Sequence, residues 1–334
     1  DQSNNMGKSF NAELIIQKDK LLQLVSEVCE NGDNLSSCIT TLSLEGISTA
    51  THIYYHDNTL EKGAEDNSYR YAGPSDKVNN FVCFGSNAAT CPTDNLYRII
   101  GVIDGKVKLI KYDYATSTLL NTGGDFASSS APQSTYKGSL TSINKYYWNY
   151  KNNTTINNGY GLNTWSTSLL NKTNLNTNFI NKIGSTWAGK IATTTWQVGG
   201  NTSAKIGEVV PATAYQNEIV SPAENTTYDA KIGLMYVSDY YYAASPSAWT
   251  LVGISSDRTK DYRAATGDNW MYMGYADWTI SRNSENSTNA FGVDSTGCVG
   301  YSYASSNFGV RPSFNLESTV AYVSGSGSMS DPIR

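Results

Sequence analysis

The hydrophobic positions of the chain change their period along its length, from helical spacing at the start to strand-like spacing beyond residue 52. Residues 10–29 place apolar residues near helical spacing, with Asn11 available as a cap, and a second short helix is predicted from Asn34 to Leu42. These helices suit either a stalk or a small cap. We therefore predict a helical N-terminal segment, residues 1–52, followed by one large domain, residues 53–334.

Strand-like segments begin at Ile53 and recur up to residue 114. In the last of them, LYRIIGVIDGKVKLIKYDY, two apolar runs flank Asp104 and Gly105. An Asp-Gly pair favours a tight β-hairpin because both central residues of its turn take positive φ. The sequence therefore predicts a β-hairpin that turns at Asp104 and Gly105.

The middle of the chain is less regular. Residues 121–136 are rich in Gly, Ser, Ala and Thr and predict a long loop. Residues 165–183 carry apolar residues that would form the inner face of one or two amphipathic helices, with Gly184 as the stop. Residues 228–240, YDAKIGLMYVSDY, predict a buried strand that leads into a tyrosine-rich turn.

The segment from Asp277 to Leu316 has apolar ends and a polar middle. Its predicted core positions at the two ends are Trp278, Ile280, Val310, Phe314 and Leu316. Between them, only scattered apolar residues such as Phe291, Val293 and Val299 would hold a meandering backbone to a scaffold. The pattern therefore indicates a displayed surface.

Composition narrows the classes of function. Only 16% of the 334 residues are charged and the net charge is -5, so the chain lacks the basic footprint of a nucleic-acid or anionic-membrane binder. The 24 Tyr far outnumber the 8 Phe. Tyr together with Ser, Gly and Asn is typical of adaptable binding loops, although a β-rich extracellular protein would also use these residues to cover its sheets.

The five cysteines indicate an oxidising compartment. Cys29 and Cys38 bracket one short polar loop and Cys83 and Cys91 bracket another, so each pair predicts a small disulfide loop. Cys298 is left over and is expected to be a free surface thiol. This pattern favours an extracellular, cell-surface protein whose anchor lay upstream, against the alternative of a cytosolic protein with five reduced thiols.

Catalytic and metal motifs are not evident. His52 and His56 are the only histidines, and they are predicted to be surface strand positions, so no Ser-His or Cys-His nucleophile system is indicated. The sequence also has no GxSxG, Walker or HExxH pattern and no CxxC spacing. We expect neither enzyme activity nor a metal cofactor.

Calcium is the one exception considered. An acidic, loop-like cluster is formed by Asp57, Glu61, Glu65 and Asp66. No D-x-D-x-D-G loop is present, which favours a solvated cluster over a calcium site.

The residues from Tyr69 to Arg334 carry a family resemblance. The segments KIGLMYVSDYYYAASPSAW, NWMYMG, DWTISR, FGVRPSFNL and YVSGSGSMSDPIR resemble surface ectodomains of gut Firmicutes and related bacteria. Those proteins end in a C-type-lectin-like, formylglycine-generating-enzyme-like domain. The resemblance implies an α+β fold, a C-type-lectin-like domain with an irregular antiparallel sheet and two packed helices, preceded by the small helical segment.

The same resemblance extends to variable proteins of diversity-generating retroelements. Those systems mutate adenines in a C-terminal variable region, with asparagine codons as favoured targets. Every residue from Gly292 to Phe308 is of a type reachable by adenine changes in an AAC or AAT codon, whereas Trp278 and Glu285 are not. The alternative is that a chain rich in Ser, Asn and Tyr fills any loop with these types.

The predicted binding face follows from this resemblance and from strand alternation, which puts Phe291 and Val293 inward and their neighbours outward. Its members are Asn283, Ser284, Asn286, Ser287, Asn289, Gly292, Asp294, Ser295, Cys298, Gly300, Tyr301, Ser302, Tyr303, Ser305, Ser306, Asn307 and Phe308. The three aromatic residues would anchor a partner, and the serines and asparagines would supply adaptable hydrogen bonds.

Arg311 is predicted to form a structural ion pair with Asp239, Asp268 or Asp277, with ligand binding as the alternative role. For the whole protein, the leading hypothesis is a cell-surface ligand-binding ectodomain whose partner is a protein or glycan of another cell, a host or a phage. The alternative is a structural cell-envelope or pilin-like subunit without a diversified site.

Overall fold

The computed structural model describes residues 21–334. Its strands are β1 (Ile53–Tyr55), β2 (Tyr69–Tyr71), β3 (Phe81–Cys83), β4 (Leu96–Ile103), β5 (Lys106–Lys111), β6 (Phe126–Ser130), β7 (Ile143–Tyr147), β8 (Thr194–Gln197), β9 (Thr227–Ala230), β10 (Asp277–Arg282), β11 (Asn289–Val293), β12 (Val299–Tyr303), β13 (Asn307–Phe308) and β14 (Ser313–Asn315). Its α-helices are α1 (Leu35–Glu45), α2 (Ser48–Thr51), α3 (Ser117–Leu120), α4 (Ile180–Ile183), α5 (Ser185–Ala188), α6 (Ser203–Ile206), α7 (Pro211–Tyr215) and α8 (Val237–Tyr242). Two π-helical stretches, Leu170–Phe179 and Gln216–Val220, precede α4 and follow α7 respectively.

Within residues 21–334 the strands form four sheets, and all the pairings between strands are antiparallel. The largest has the order β1-β2-β4-β5-β14, with β3 also paired to β4. The smaller sheets have the orders β10-β11-β12, β13-β7-β6 and β8-β9. The chain is therefore a mixed α+β protein, built mostly from antiparallel sheets with few helices.

The predicted hairpin joins β4 to β5. Asp104 and Gly105 form its turn, with φ of 49° and 71°, and Ile103 pairs with Lys106 across it. The hairpin is confirmed, because positive φ is the local condition that an Asp-Gly pair meets.

The predicted second helix is also confirmed as α1. Asn34 caps it by accepting a hydrogen bond from the amide of Ser37, and its buried face packs into the main core. The predicted helix over 10–29 lies partly in residues 1–20, outside the described part. From residue 21 onward that prediction is wrong, because this stretch forms only a single 3₁₀ turn, Val25–Glu27.

The N-terminal segment and the C-terminal end meet. Leu35 donates its amide to the carbonyl of Val320, and Gly32 donates to that of Tyr322. The boundary drawn at residue 52 therefore does not mark a gap in the hydrophobic core, since α1 and the later strands share it. The apolar ends of the 277–316 segment are likewise core positions, because Trp278, Ile280, Val310, Phe314 and Leu316 are all at most 1% exposed.

Two predictions for the middle of the chain need correction. The loop predicted over 121–136 contains β6, which pairs with β7. Residues 228–240 do not form a buried strand: β9 is a surface strand that ends at Ala230, and α8 begins at Val237. Asp239 stabilises the start of α8 by accepting a hydrogen bond from the amide of Tyr236, so local capping prevails over the apolar run.

The helical prediction over 165–183 is correct, but the segment is not a single regular α-helix. Trp165 lies in a 3₁₀ turn, the next residues form the π-helical stretch and α4, and Gly184 ends the helix with φ of 80°. In residues 21–334, no helix combines the length and the apolar content that crossing a membrane requires.

Candidate recognition face

The sheet of β10, β11 and β12 supports the predicted binding face. The central strand β11 is buried along its whole length. Its partner β12 is an outer strand of the sheet, paired residue by residue from Val293 with Val299 to Asn289 with Tyr303. A buried central strand fixes the backbone of β12, so the side chains of β12 project from a rigid support.

Alternation along β12 brings two tyrosines to the surface. Tyr301 and Tyr303 are 52% and 44% exposed, and Val299, which precedes them on the same side of the strand, is fully buried. The intervening Ser302 is half-buried. The two rings therefore lie on the same side of the strand, as a period of two requires.

A third tyrosine completes this surface. Tyr160 is 41% exposed and stacks on Tyr303, with ring centroids 4.1 Å apart and planes 12° from parallel. Its carbonyl accepts a hydrogen bond of 3.1 Å from the amide of Ser305. We call Tyr160, Tyr301 and Tyr303 the tyrosine patch. Sequence analysis missed Tyr160, although its loop, YKNNTTINNGYG, has the same Tyr/Asn/Thr composition as the predicted face.

The loop between β10 and β11 is tied to the rest of the protein by Asn163. This residue is 2% exposed, and its amide nitrogen lies 2.6–2.8 Å from the carbonyl oxygens of Asn283, Asn286 and Asn289. One buried side chain thus holds the backbone of the loop, and the exposed side chains of Asn286 and Ser287 remain at the surface.

Phe308 links the face to the core. Its half-buried ring stacks on Trp278, with centroids 4.2 Å apart, and the indole nitrogen of Trp278 donates to the carbonyl of Tyr146 at 2.8 Å. The ring of Phe308 therefore packs partly against Trp278 and is partly exposed to solvent. Its neighbour Asn307 is exposed.

Most predicted face residues keep some solvent exposure. They are Ser284, Asn286, Ser287, Asp294, Ser295, Gly300, Tyr301, Ser302, Tyr303, Ser305, Ser306, Asn307 and Phe308. Asp294 uses its carboxylate within its own turn, where it accepts hydrogen bonds from the amides of Thr296 at 2.7 Å and Cys298 at 3.1 Å.

Four predicted face residues are buried and are corrections. Asn283, Asn289, Gly292 and Cys298 lie inside, because β11 is covered on both sides and the loop before it folds over Asn163. Simple alternation fails here, since it assumes that one side of β11 faces solvent. The run from Gly292 to Phe308 is therefore not one continuous exposed surface.

Cys298 is free, as expected, but it is not a surface thiol. It is 3% exposed and lies 3.9 Å from a carboxylate oxygen of Asp261. Burial raises the pKa of this thiol to about 11, and the carboxylates of Asp294 and Asp261 act in the same direction. The thiol is therefore protonated and unreactive in the folded protein. The other four cysteines form the two predicted disulfides, Cys29–Cys38 and Cys83–Cys91.

Arg311 pairs with Asp277, one of its three predicted partners. Its Nε donates to Asp277 at 2.5 Å and its Nη2 donates to the carbonyl of Met271 at 2.9 Å. Both side chains of the pair are 3% exposed, which leaves the guanidinium inaccessible to a ligand. Burial raises the pKa of Asp277 to about 6 although Arg311 opposes the rise.

His56 also corrects the sequence analysis, because it is fully buried rather than a surface strand position. Its Nδ1 accepts a hydrogen bond of 3.0 Å from the amide of Ala64, and its ring lies against Tyr242 and Trp249. His52 is half-buried and follows α2 with φ of 58°. Among the described residues, no serine or cysteine is hydrogen-bonded to either imidazole.

The carboxylates of the acidic cluster, the possible calcium site, do not lie close together. Asp57 accepts hydrogen bonds from the amides of Thr59 and Leu60, and Asp66 pairs with Arg70 at 2.6 Å. Across the part of the chain that the structure describes, the only grouping of three potential ligands is Cys29, Asp33 and Cys38, and its two cysteines are bonded to each other.

Comparison of the chain with protein-family models, with curated proteins and with solved structures gives no match. The surface must therefore be interpreted from its own geometry and chemistry.

Proposed function

We propose that the chain is a bacterial cell-surface ligand-binding ectodomain with a C-type-lectin-like main domain, and that the tyrosine patch is the centre of its binding face. In this proposal it is a variable protein of a diversity-generating retroelement. The observation that carries the proposal is the exposure of three large aromatic side chains, Tyr160, Tyr301 and Tyr303, on a buried and hydrogen-bonded support.

The chemistry of the surface supports recognition. Tyrosine supplies a large contact area at low conformational cost, and the neighbouring Ser302, Ser305 and Asn307 supply hydrogen-bonding groups that adapt to a partner. The tyrosine patch contains no Asp, Glu, Lys or Arg side chain, which suits a neutral partner surface. The partner would be a protein or a glycan on another cell, a host or a phage.

The support also favours sequence variation at selected positions. Side chains that project from a fixed backbone can change with little effect on stability, whereas buried ones cannot. We therefore place the diversified positions at the exposed members of the predicted face and exclude Asn283, Asn289, Gly292 and Cys298. The two disulfides are consistent with an extracytoplasmic location.

The genome provides the first test. A diversified protein requires a reverse-transcriptase gene and a near-copy of the segment that encodes residues 277–316, differing from it at adenines. Mismatches should cluster in codons for exposed positions such as Tyr301 and Tyr303. If the complete genome lacks such a copy and paralogues differ uniformly along the chain, the structural cell-envelope alternative replaces the proposal.

Binding provides the second test. The folded chain is applied to a glycan array and to intact bacterial cells, beside the double variant Tyr301→Ala/Tyr303→Ala. Loss of two central aromatic anchors should weaken binding at least ~10-fold, since such anchors carry much of the energy of an interface. Tyr55→Ala is the matched control, because Tyr55 forms a similar stack with Tyr69 in the main sheet, at 4.5 Å. Equal binding by the double variant and the wild type would contradict the proposed face.

A further inference from the structure

A cavity that is separate from the tyrosine patch lies beside the turn of the β4-β5 hairpin. Its volume is about 340 Å³, within the range of roughly 300–1,000 Å³ that small-molecule pockets occupy. The rim includes Asp104 and Lys106 on the hairpin side and Thr193 before β8. No residue of this cavity belongs to the predicted recognition face or the tyrosine patch, so neither accounts for it.

The floor of the cavity is a compensated cluster of buried charges. Lys108 donates to Asp239 at 2.6 Å, and Arg70 bridges Asp239 at 3.4 Å and Asp66 at 2.6 Å. The side chains of Arg70, Lys108 and Asp239 are at most 5% exposed. Burial lowers the pKa of Lys108, and Asp239 opposes that shift. Both cations therefore already have carboxylate partners.

The charges around the whole cavity also balance. Its cationic residues are Arg70, Lys106 and Lys108, and its anionic residues are Asp66, Asp104 and Asp239. A phosphate or a carboxylate would have to compete with the carboxylates that already hold the cations, and a cationic ligand would face the reverse problem. The electrostatics therefore favour a ligand without net charge.

The hydrogen-bonding capacity of the walls is not used up within the described chain. An ammonium has three donors and Lys108 uses one of them, on Asp239. A guanidinium has five donors and Arg70 uses three, on Ser68, Asp66 and Asp239. On the acceptor side, Gln197 Oε1 and Asn315 Oδ1 are buried without a partner among residues 21–334.

We propose that this cavity binds a small, neutral, polyhydroxylated ligand, a monosaccharide or a disaccharide. Each hydroxyl group both donates and accepts hydrogen bonds, so one ligand satisfies the spare donors of Lys108 and Arg70 and the unpaired oxygens of Gln197 and Asn315. An anion offers only acceptors and would leave both amide oxygens unpaired. The cavity thus combines the volume, the charge balance and the mixed hydrogen-bonding groups that a sugar requires.

The test is saturation-transfer NMR on the folded chain. The probes are methyl glycosides of glucose, galactose, mannose and N-acetylglucosamine with their common disaccharides. Methyl phosphate, an anion with an observable methyl group, and glycine, a zwitterion, serve as comparisons. At least one saccharide should bind, and methyl phosphate should not. Gln197→Ala and Asn315→Ala should each weaken the binding of that saccharide about 10-fold, the scale of one lost hydrogen bond.

Matched controls separate this cavity from the rest of the surface. Gln216→Ala and Asn58→Ala change exposed residues of the same types outside both the cavity and the recognition face, and these variants should bind the saccharide as the wild type does. Asn307→Ala tests the recognition face separately. If the Gln197 or Asn315 variant unfolds, Thr193→Trp blocks the rim from an exposed position, with Thr319→Trp as its control.

Three outcomes overturn the proposal. They are the absence of signal from every saccharide, undiminished binding in the Gln197, Asn315 and Thr193 variants, and a preference for methyl phosphate or glycine. If Asn307→Ala loses saccharide binding instead, the saccharide binds at the predicted recognition face. That result would also overturn the cavity assignment.

Discussion

Gly292 and Gly300 are direct partners across β11 and β12, yet only one of them has room for a side chain. A Cβ added to Gly292 would lie 2.7 Å from the carbonyl oxygen of Asp277 and 3.2 Å from the ring of Phe308. A Cβ added to Gly300 would meet no atom within 4 Å. Directly paired residues point to the same side of an antiparallel sheet, here the side opposite to Tyr301 and Tyr303. This side is therefore closely covered at the central strand β11 and open at the outer strand β12.

Substitution by alanine should separate these two positions. We expect Gly292→Ala to lower the free energy of unfolding by about 1–3 kcal/mol, the cost of overpacking. Gly300→Ala should leave it unchanged or raise it by up to about 1 kcal/mol, because alanine is favoured over glycine in a strand. Urea unfolding of both variants measures the difference. Equal destabilisation would show that this side of the sheet is covered as closely at β12 as at β11.

The stack between Tyr160 and Tyr303 joins two distant parts of the chain. A double-mutant cycle with Tyr160→Ala and Tyr303→Ala should give a coupling energy of about 0.5–1.5 kcal/mol, as aromatic pairs do. Denaturant unfolding of the two single variants and the double variant provides the measurement. The same cycle between Tyr160 and Phe291, which do not stack on each other, should be additive within about 0.5 kcal/mol. A coupling near zero for the first pair would remove Tyr160 from the patch.

Breaking the buried pair of Arg311 and Asp277 should cause a larger loss of stability than the changes above. Arg311→Met leaves a buried carboxylate without its partner and should cost about 3–5 kcal/mol of unfolding free energy. Arg311→Lys keeps a positive charge and should cost less. Lys260→Met removes an exposed pair with Asp257 and should change stability by less than about 1 kcal/mol. A loss in Arg311→Met no larger than that in Lys260→Met would show that the pair is not structural.

His56 predicts a loss of stability in acid. Burial, followed by the positive charge of Arg70, lowers the pKa of His56 from 6.5 to about 3. Below pH 6.5 the unfolded chain therefore binds a proton that the folded chain does not, so the contribution of His56 to stability falls as the pH decreases. The loss is roughly 1.4 kcal/mol per pH unit and continues down to the folded pKa.

The variant His56→Gln isolates this contribution. Between pH 6 and pH 4 its unfolding free energy should decline less steeply than that of the wild type, by roughly 1.4 kcal/mol per pH unit. His52→Asn leaves the buried imidazole in place and should reduce the slope by less, because His52 is only half-buried although burial lowers its pKa in the same direction. In the wild type, NMR should show the His56 ring still neutral at pH 5. A ring that titrates near pH 6.5 would refute the prediction.

Cys298 should be protected from thiol reagents. A rise in its pKa from 9.0 to about 11 lowers the thiolate fraction about 100-fold, and burial restricts access further. A disulfide-exchange reagent at pH 8 should label one thiol in the unfolded chain and almost none in the folded chain. Tyr301→Cys places a thiol at an exposed position and should react rapidly without denaturant. Rapid labelling of the wild type would mean that the turn before β12 opens readily.

The hairpin and α1 were predictable because their signals are local. Asp104 and Gly105 carry the positive φ of their own turn, and Asn34 caps the helix that follows it. The prediction of a strand over 228–240 was wrong because an apolar run has no period that distinguishes a strand from buried irregular backbone. Asp239 caps the start of α8, and a hydrophobic periodicity takes no account of a polar capping residue.

The predicted binding face shows the same difference between what local sequence indicates and what the folded structure decides. Sequence analysis placed Tyr301 and Tyr303 at the surface because they lie in the polar middle of the 277–316 segment, which is a property of that segment alone. It also placed Gly292 and Cys298 there, and both are buried because other elements cover them. Tyr160 was missed because it reaches Tyr303 through the fold and not through the sequence.

The sequence by itself determined the turns, the cap of α1, the apolar ends of the 277–316 segment and the chemical character of its middle. These depend on backbone preferences and on hydrophobic content, which a few neighbouring residues specify. The tertiary structure alone decided which polar residues are exposed, which carboxylate Arg311 contacts and which charges surround the cavity beside the hairpin. Burial and charge pairing depend on side chains that are distant in the sequence, and folding brings them together.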